Sequence, residues 1–525
     1  MIEPGSDRSS LTGVLLAALA LAAGIAVVSA EPPVGQRATA GSRVVVGSGG
    51  AGFDSGLQVA APRSGRASQT GSLSQDPRGR DARYVPGDVI VKFADTQSVT
   101  ADQRDAVRRA GARAIETQPY SDFLVLKLED GGDAEAVAKE MNARLDVEYA
   151  QPNYLRQPLF VPNDPLFNLQ WNMMQIDMDR AWNISPAAGE SVTVAVIDSG
   201  LAFQDTTIEF KADAFTLRGV DFPALGTVTA PFAAASDLVA PGRIVAPFDF
   251  VWMDEFPVDM SGHGSHVTGT LGQLTNNGSG ASGVAFNVKI MPLKVLADEW
   301  DFIFGAVPFC CGATDAAVAA AIRYAEQFGA DVINMSLGGP DPSPVIDAAI
   351  EFVVSQGVFV AIAGGNSFTE GNPTTWPAAA AESIDGAMAV AAVDRFSQRA
   401  FYSNTGSYVE IAAPGGDQRA DGFDGVVQQT LDPLFSQTFA LSPAQFRAPR
   451  FDVLAFLFLQ GTSMASPHVA GLGALLMAQG VRSPAAIEAG IKATATDLGT
   501  PGNDDEFGAG LINAGAAVRG LGLAR

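Results

Sequence analysis

The chain has 525 residues with a formal net charge of −24 at pH 7, and 47% of its residues are hydrophobic. This length and apolar content are enough for two or three domains with a large core. The negative charge argues against nucleic acid and anionic membrane surfaces as partners.

The first predicted element is a targeting segment at the amino terminus. Residues 11–30 are uncharged, mostly Leu, Ala and Val, and end in the small residues that a signal peptidase accepts, Val28-Ser29-Ala30. We predict a signal peptide over residues 1–30 and a secreted, extracellular protein. The leading residues are not clearly basic, so an uncleaved membrane anchor over residues 11–30 stays open as an alternative.

A linker and a small module follow. Residues 31–83 are rich in Gly, Ala, Ser, Arg and Pro without periodicity, which is typical of a disordered linker. From residue 84 on, the pattern predicts three strands and two amphipathic helices: Asp88–Phe93, Ala101–Arg113, Phe123–Leu128, Asp133–Arg144 and Val147–Tyr154. This β-α-β-α-β order, with room for one more short strand, predicts a ferredoxin-like α+β module over residues 84–158.

From residue 163 to about residue 520, short apolar runs alternate with Ala-rich helical patterns. The runs predict strands at Val192–Ile197, Val288–Leu293, Val332–Met335, Val358–Ala363 and Ala387–Val393. Helical spacing is found at Ala316–Gln327, Pro344–Gln356 and Ser466–Gln479. Continuous apolar strands are buried on both faces of a parallel sheet, so this part is predicted to be a three-layer α/β domain with a mainly parallel sheet.

Three short motifs of this domain carry reactive side chains. Asp198 ends an apolar strand in V-A-V-I-D-S-G, His263 and His266 lie in G-H-G-S-H-V-T-G, and Ser463 precedes His468 in G-T-S-M-A-S-P-H-V-A-G. The chain has only three histidines, and all of them lie in these motifs. A serine hydroxyl becomes a nucleophile when a base and a group that orients the base lie beside it. The motifs therefore predict a serine nucleophile with a histidine base.

Each motif alone also has an ordinary structural explanation, since a strand-ending Asp or a Ser at a helix start is usually a cap. Together, and in the order Asp, His, Ser, the motifs resemble those of the subtilisin-like serine proteases. The resemblance implies a subtilisin-like fold and an endopeptidase that acts through an acyl-enzyme. It implies Ser463 as nucleophile, His263 rather than His266 as base, and Asp198 as the group that orients the base.

Further segments match parts of the same family's site. Asn366 in A-G-G-N matches the family's side-chain donor to the oxyanion, which works with the backbone N–H of Ser463. Gly364, two residues before Asn366, stands where the family more often has alanine. The segment Val332–Gly339 resembles the one that binds an extended substrate as an added strand. The implied substrate-binding residues are Ser336, Leu337, Gly338 and Gly364, and Trp376-Pro377-Ala378 would close the primary specificity pocket.

The segment Leu274–Ala281 resembles the family's calcium loop, and calcium binds oxygen ligands. The resemblance implies a structural Ca²⁺ held by the Asn277 side chain and three carbonyls, with Asp164 as a further ligand. The carbonyls belong to Leu274, Ser279 and Ala281. The family also uses a carboxylate after the strand of the catalytic Asp, where Asp205 is near but out of register. An ordinary Asn-Gly turn is the alternative.

The module at residues 84–158 resembles the family's inhibitory propeptide in Y-V-P-G-D-V-I-V-K-F and V-E-Y-A-Q-P-N-Y. The resemblance implies a zymogen that cuts itself near Leu155–Pro162, with the propeptide as its intramolecular inhibitor. The expected partners are protein or peptide substrates, with no nucleic acid, and the chain is expected to be a monomer. The alternatives are a module that stays attached, a non-catalytic binding protein that kept the fold, and a narrow processing protease anchored by residues 11–30.

Three stretches are longer than the family's minimal domain: residues 202–250, 297–313 and 417–458. They tune substrate choice or pack on the surface. The second stretch contains the only cysteines, Cys310 and Cys311, which cannot build a disulfide framework. Unlinked thiols are the first expectation for this pair, and a disulfide between neighbours is the alternative.

Overall fold

The computed structural model describes residues 84–94, 100–117, 121–129, 132–154, 160–419, 422–437 and 442–520. The predicted signal peptide and linker lie outside these residues. The chain divides into two compact units, with the boundary between Pro158 and Leu159. No helix in the described ranges has both the length and the apolar composition needed to cross a bilayer.

The smaller unit has the element order predicted for it, with the additional strand. Its elements are β1 (Tyr84–Phe93), α1 (Ala101–Arg109), β2 (Ala112–Thr117), β3 (Leu124–Leu128), α2 (Ala134–Asn142) and β4 (Val147–Tyr154). The strands form one antiparallel sheet in the order β2-β3-β1-β4. The predicted helix over Ala101–Arg113 ends early, because Gly111 takes a left-handed φ of 84° and turns the chain into β2.

The larger unit is built on a seven-stranded parallel sheet in the order β10-β11-β5-β12-β13-β14-β15. The strands are β5 (Thr193–Asp198), β10 (Phe248–Asp249), β11 (Lys289–Lys294), β12 (Val332–Met335), β13 (Phe359–Ala363), β14 (Ala387–Val393) and β15 (Ile411–Pro414). Every residue of β12, β13, β14 and β15 is buried. Because side chains alternate between the two faces of a strand, this burial needs cover on both faces.

Helices provide that cover. The longer ones are α5 (His263–Gly272), α7 (Asp315–Gln327), α8 (Pro344–Ser355), α10 (Thr462–Ala478) and α11 (Pro484–Thr494). The short ones are α3 (Trp171–Gln175), α4 (Met178–Ile184), α6 (Glu299–Ile303), α9 (Pro433–Ser436) and α12 (Ala514–Ala517). The predicted three-layer α/β fold with a mainly parallel sheet is confirmed. Helix α10 begins at Thr462, four residues before the periodic stretch that predicted it.

The three longer stretches pack on one another through aromatic rings. Residues 202–250 form two antiparallel pairs, β6 (Thr206–Ala212) with β9 (Gly226–Phe232) and β7 (Phe215–Leu217) with β8 (Val220–Phe222). Residues 417–458 contain β16 (Val426–Leu431), which pairs antiparallel with β17 (Leu454–Leu459). Strand β17 ends one residue after this stretch. The Phe210 ring stacks on Phe304 at 4.2 Å, and the Phe232 ring stacks on Phe451 at 4.8 Å. The stretches therefore stabilise one another.

The two cysteines are joined. Cys310 and Cys311 form a disulfide between neighbouring residues. The first expectation, unlinked thiols, is therefore wrong, and the alternative holds. The pair lies in the stretch 297–313, and Gly312 beside it exchanges two backbone hydrogen bonds with Ala297, at 2.8 and 2.9 Å. These hydrogen bonds join the beginning of the stretch to its end.

A buried ion pair lies at the end of β11, whose last residue, Lys294, is in register with Asp198 at the end of β5. Lys294 Nζ is 2.9 Å from Asp301 Oδ2, and the two side chains are 1% and 0% exposed. Burial lowers the pKa of Lys294, but the charges of Asp301, Asp249 and Asp298 outweigh burial and raise the pKa above its ordinary value. The ammonium group is therefore charged and compensates several buried carboxylates.

Removing this cation should destabilise the larger unit strongly. Lys294→Met leaves buried carboxylates without their partner, which typically costs about 3–5 kcal/mol of unfolding free energy. The matched control is Lys211→Met, since Lys211 is 2.9 Å from Asp213 in a pair that is 78% and 76% exposed. The control should lose less than about 1 kcal/mol. Urea unfolding measures both, and equal losses would contradict a structural role for the buried pair.

Candidate active site

The three residues of the predicted triad come from three elements of the larger unit. Asp198 is the last residue of β5, His263 is the first residue of α5, and Ser463 is the second residue of α10. His263 and Ser463 line the same cleft, which has a volume of about 970 Å³. Asp198 lies behind the cleft wall and is 0% exposed.

Asp198 and His263 form a direct hydrogen bond. His263 Nδ1 is 2.7 Å from Asp198 Oδ1, and the imidazole is 31% exposed. The carboxylate accepts from Nδ1–H, so Nε2 is left without a proton and with its lone pair free. Burial lowers the pKa of His263, but the charge and hydrogen bond of Asp198, together with the charge of Asp259, raise it above its ordinary value.

The close approach of α5 to the end of β5 depends on a missing side chain. A Cβ at Gly264 would collide with the Gly200 carbonyl and would lie 3.1 Å from Ser199 Oγ. Gly264 therefore lets the start of the helix lie against the turn that follows Asp198. This explains why a glycine must follow the histidine that bonds Asp198.

The other two histidines are buried and bonded inside the core. His266 Nε2 lies 3.0 Å from the Val426 carbonyl, and His468 Nδ1 lies 2.8 Å from the Met464 carbonyl. Burial lowers the pKa of each to about 4. Both imidazoles are therefore neutral at neutral pH, and neither reaches the cleft, so His263 is the histidine available as a base.

The Ser463 hydroxyl is half-buried at the start of α10. Its Oγ donates to the Ser336 carbonyl at 3.4 Å, and among the described residues it makes no hydrogen bond with His263. Catalytic hydrogen bonds are often long or misaligned before substrate binds. The main chain at Ser463 is held by a side chain, because Ser336 Oγ donates to the Ser463 carbonyl at 2.8 Å. Asn334 Nδ2 in turn donates to Ser336 Oγ at 3.1 Å.

Asn366 is oriented by α10 itself. Its Oδ1 accepts from the backbone N–H and the hydroxyl of Thr462, both at 2.9 Å. The amide oxygen is thereby used, and the amide NH₂ makes no hydrogen bond within the described part of the chain. Asn366 lines the cleft beside Ser463. A side-chain donor is therefore available next to the hydroxyl.

The predicted substrate-binding residues divide into two groups. Ser336, Leu337 and Gly338 line the cleft, and the backbone N–H and C=O groups of Leu337 and Gly338 have no hydrogen-bond partner among the described residues. Gly364 lies behind the wall, because its N–H donates to the Val390 carbonyl and its carbonyl accepts from the Tyr408 hydroxyl. Gly364 is therefore not among the residues that line the cleft, whereas the next residue, Gly365, is.

The cleft wall is acidic. Carboxylates line it at several positions, and among the described residues no Lys or Arg does. The four residues are Asp298, Asp315, Asp341 and Glu370. Ser343 Oγ donates to Asp315 at 2.7 Å, so this carboxylate is held in place.

The predicted calcium loop folds around two buried carboxylates. Asp164 is 4% exposed and accepts from the backbone N–H groups of Asn276 and Asn277, at 2.8 and 3.0 Å. Asp237 is 1% exposed and accepts from Asn277 Nδ2 at 2.7 Å and from the Ala281 N–H at 3.1 Å. Burial raises the pKa of Asp237 to about 6, although its hydrogen bonds oppose this.

Oxygen atoms of the loop differ in whether they already accept hydrogen bonds: Asn277 Oδ1 accepts from the Ser279 N–H at 2.8 Å. The Leu274, Ser279 and Ala281 carbonyls accept no hydrogen bond from the described residues, and neither buried carboxylate has an ion-pair partner there. Asp205, the carboxylate considered from the sequence, is exposed and accepts from the Ala234 N–H. Asp237 is the second carboxylate at the loop, besides Asp164. Sequence reasoning missed Asp237 because the long stretch 202–250 that contains it gives no pattern from which its position in the fold can be predicted.

Comparisons with known proteins agree with this geometry. Residues 189–510 match the subtilase family, peptidase S8, and residues 73–153 match the fervidolysin N-terminal prodomain. The chain is 30% identical over 439 residues to a thermophilic serine proteinase of Bacillus sp. strain AK1, covering 83% of this chain and 88% of that protein. It is 31% identical over 454 residues to an extracellular protease of Xanthomonas campestris, covering 81% of this chain and 70% of that protein.

Solved structures give the same result. A protease from Pseudoalteromonas arctica matches with a TM-score of 0.50 at 29% identity, over 69% of this chain and 99% of that chain. The match to the family covers more than half of the 525 residues. The chain therefore belongs to the subtilase family, as a serine endopeptidase with an N-terminal prodomain.

Proposed function

We propose that this subtilase is a secreted endopeptidase that cuts proteins through an acyl-enzyme on Ser463, with His263 as base and Asp198 as its orienting group. The observation that carries the proposal is the 2.7 Å hydrogen bond from His263 to the buried Asp198, beside a serine in the same cleft. Support for secretion comes from the sequence of residues 11–30 and from the extracellular protease of Xanthomonas campestris among the relatives.

The reaction follows from the positions of the protons. His263 Nε2 takes the proton of the Ser463 hydroxyl while Oγ forms a bond to the carbonyl carbon of the substrate. The resulting imidazolium is stabilised by Asp198 and gives its proton to the leaving amine as the C–N bond breaks. Water then attacks the ester carbonyl while His263 takes a proton from that water. The C–Oγ bond breaks as His263 gives this proton to Ser463 Oγ, which releases the carboxylic acid product and restores the hydroxyl.

Developing negative charge on the substrate oxygen needs donors. The Asn366 amide and the backbone N–H of Ser463 at the start of α10 are the donors that we assign, and loss of one such donor typically costs about 10²–10³ in turnover. The unpaired backbone groups of Leu337 and Gly338 bind the substrate as an added strand. Main-chain binding of this kind is largely independent of the substrate's sequence.

The prodomain gives the enzyme an intramolecular inhibitor. We assign residues 84–158 to it, residues 163–520 to the catalytic domain, and the self-cleavage to residues 155–162. The match of residues 73–153 to the fervidolysin prodomain supports this assignment. The mature enzyme is proposed to act as a monomer on protein or peptide substrates.

A structural Ca²⁺ is proposed at the loop Leu274–Ala281. Asp164, Asp237 and Asn277 would hold it together with the carbonyls of Leu274, Ser279 and Ala281. The cation would neutralise two buried carboxylates and fix the loop that follows α5. Catalysis needs no cofactor in this proposal, because the proton transfers use His263 alone.

The proposed nucleophile and the self-cleavage are tested together by intact mass. Wild-type precursor should lose its amino-terminal segment up to residues 155–162 and should take up one fluorophosphonate label, and Ser463→Ala should do neither. The matched control is Ser355→Ala, an exposed serine at the end of α8, which should behave as wild type. A folded wild type that is neither cut nor labelled would contradict the proposal and favour a non-catalytic binding protein.

The acidic cleft should favour basic substrates. Two peptides that differ only by Lys or Glu near the scissile bond should differ about tenfold in kcat/KM, because a carboxylate within reach contributes on the order of 1 kcal/mol. The difference should shrink at high salt. At low salt, Asp341→Asn should reduce the difference in kcat/KM between the two peptides. Asp213→Asn, which changes an exposed carboxylate in a surface ion pair, should leave that difference unchanged. Equal cleavage of the two peptides at low salt would refute the preference.

Calcium and pH should act on stability through Asp237. Its pKa is raised to about 6 by burial, so the folded state keeps a proton that the unfolded chain releases near pH 4. With a chelator, the unfolding free energy of wild type should therefore fall from pH 4 to pH 6 relative to Asp237→Asn. Millimolar Ca²⁺ should raise the Tm of wild type and raise that of Asp237→Asn much less.

The control for this experiment is Asp205→Asn, which removes an exposed carboxylate away from the loop. Thermal unfolding is measured in the inactive Ser463→Ala background so that self-digestion does not interfere. An equal rise in Tm for all three chains would show that calcium binds elsewhere.

A further inference from the structure

Asp259 is a buried carboxylate that the proposed reaction does not use. It lies four residues before His263 and is 1% exposed. It accepts five hydrogen bonds, all from residues close to the catalytic pair. Oδ1 accepts from Ser199 Oγ at 2.9 Å, Ser261 N–H at 3.0 Å and Gly262 N–H at 2.8 Å. Oδ2 accepts from the N–H and the hydroxyl of Ser265, at 2.9 and 2.7 Å.

These bonds hold the main chain on both sides of His263. On one side, the Gly262 N–H donates directly to Asp259. On the other side, the Gly264 N–H donates to Ser199 Oγ at 2.8 Å, and the same Oγ donates to Asp259. Ser199 is the residue directly after Asp198. The carboxylate of Asp259 therefore ties both neighbours of the histidine to the residue that follows the orienting aspartate.

We propose that Asp259 is a positioning residue for the peptidase reaction, which fixes the start of α5 against the end of β5 so that the His263 imidazole stays bonded to Asp198. This inference rests on the proposed function, in which His263 is the base. It assigns to Asp259 no contact with substrate. An error of about 1 Å in the position of a catalytic group can cost on the order of 10² in rate, so such a support affects turnover.

The charge of Asp259 acts in the same direction as its hydrogen bonds. The charged or titratable groups facing His263 are Asp198 on β5, Asp259, and His266 on its own helix, and both carboxylates raise the pKa of His263. Burial raises the pKa of Asp259 above its ordinary value, and the hydrogen bonds from Ser265 and Gly262 together with the Lys294 charge oppose this only in part. Lys294 Nζ donates to the Val258 carbonyl at 3.3 Å, next to Asp259 in the chain.

Two variants separate the charge of Asp259 from the link that it makes. Asp259→Asn removes the charge and disturbs the bonds to both sides of His263. Ser199→Ala keeps the charge and removes only the connection from Asp259 to Gly264. The control is Glu410→Gln, because Glu410 is a buried carboxylate, 7% exposed, that accepts from the Ala389 N–H and from Lys492 and does not line the cleft.

The experiment measures kcat, KM and the pH profile of kcat/KM for the mature enzymes, normalised by fluorophosphonate titration. Both Asp259→Asn and Ser199→Ala should lower kcat about 10- to 100-fold with KM within about twofold. The acid limb of the profile should move to lower pH in Asp259→Asn alone, since the lost charge favoured the imidazolium. Glu410→Gln should keep kcat, KM and the acid limb while losing stability.

A purely structural role gives a different result. If Asp259→Asn and Ser199→Ala lose Tm as Glu410→Gln does but keep the wild-type kcat and acid limb, the inference is overturned. If Asp259→Asn does not fold, Ser199→Ala tests the proposal alone. An unchanged kcat in Ser199→Ala would overturn the proposed positioning of His263 by Asp259 through Ser199. Wild type must be active and Ser463→Ala inactive in the same assay, so failure of the proposed function is recognised separately.

Discussion

The larger unit is organised around one hydrogen bond between a buried carboxylate and a partly exposed imidazole. Asp198 has no contact with solvent, and His263 Nδ1 is 2.7 Å from its Oδ1. A charge in such a place is costly unless it is bonded, and the histidine is one of its donors together with the Ser199 N–H at 2.7 Å. The same contact fixes the tautomer of His263 and leaves its Nε2 without a proton, and His263 and Ser463 line the same cleft.

The scaffold brings these groups together by ordinary features of α/β folds. Parallel strands end at one edge of the sheet, and helices begin beside that edge, so residues distant in sequence meet there. Asp198 ends a strand, while His263 and Ser463 begin helices. Glycine at position 264 permits the start of α5 to lie close to the turn after β5, and Asp259 accepts from the Gly262 N–H beside His263. Thr462 orients Asn366, so the helix that carries the proposed nucleophile also positions the proposed amide donor.

Much of the fold could be predicted from the sequence, because continuous apolar runs and helical periodicity are local patterns. The predicted ends lie within one residue of the observed ends for five of the seven strands in the sheet of the larger unit, whereas β10 and β15 were not predicted. The motifs also named His263 and Ser463, which line the cleft, and Asp198, which lies behind its wall. Positions set by long-range contact were not predictable in this way. Asp237 reaches the loop Leu274–Ala281 across an insertion, whereas Asp205 does not. Gly364 lies behind the cleft wall because Val390 and Tyr408 bind its backbone groups.

The most direct test of this account is the titration of the histidines by NMR in the inactive Ser463→Ala chain, which has only three imidazoles to resolve. The account predicts that His263, assigned by its loss in His263→Ala, titrates above its ordinary pKa of 6.5. His266 and His468 should remain neutral until the pH approaches about 4. A His263 resonance that titrates at or below 6.5 would contradict a charged Asp198 bonded to it and, with it, the proposed base.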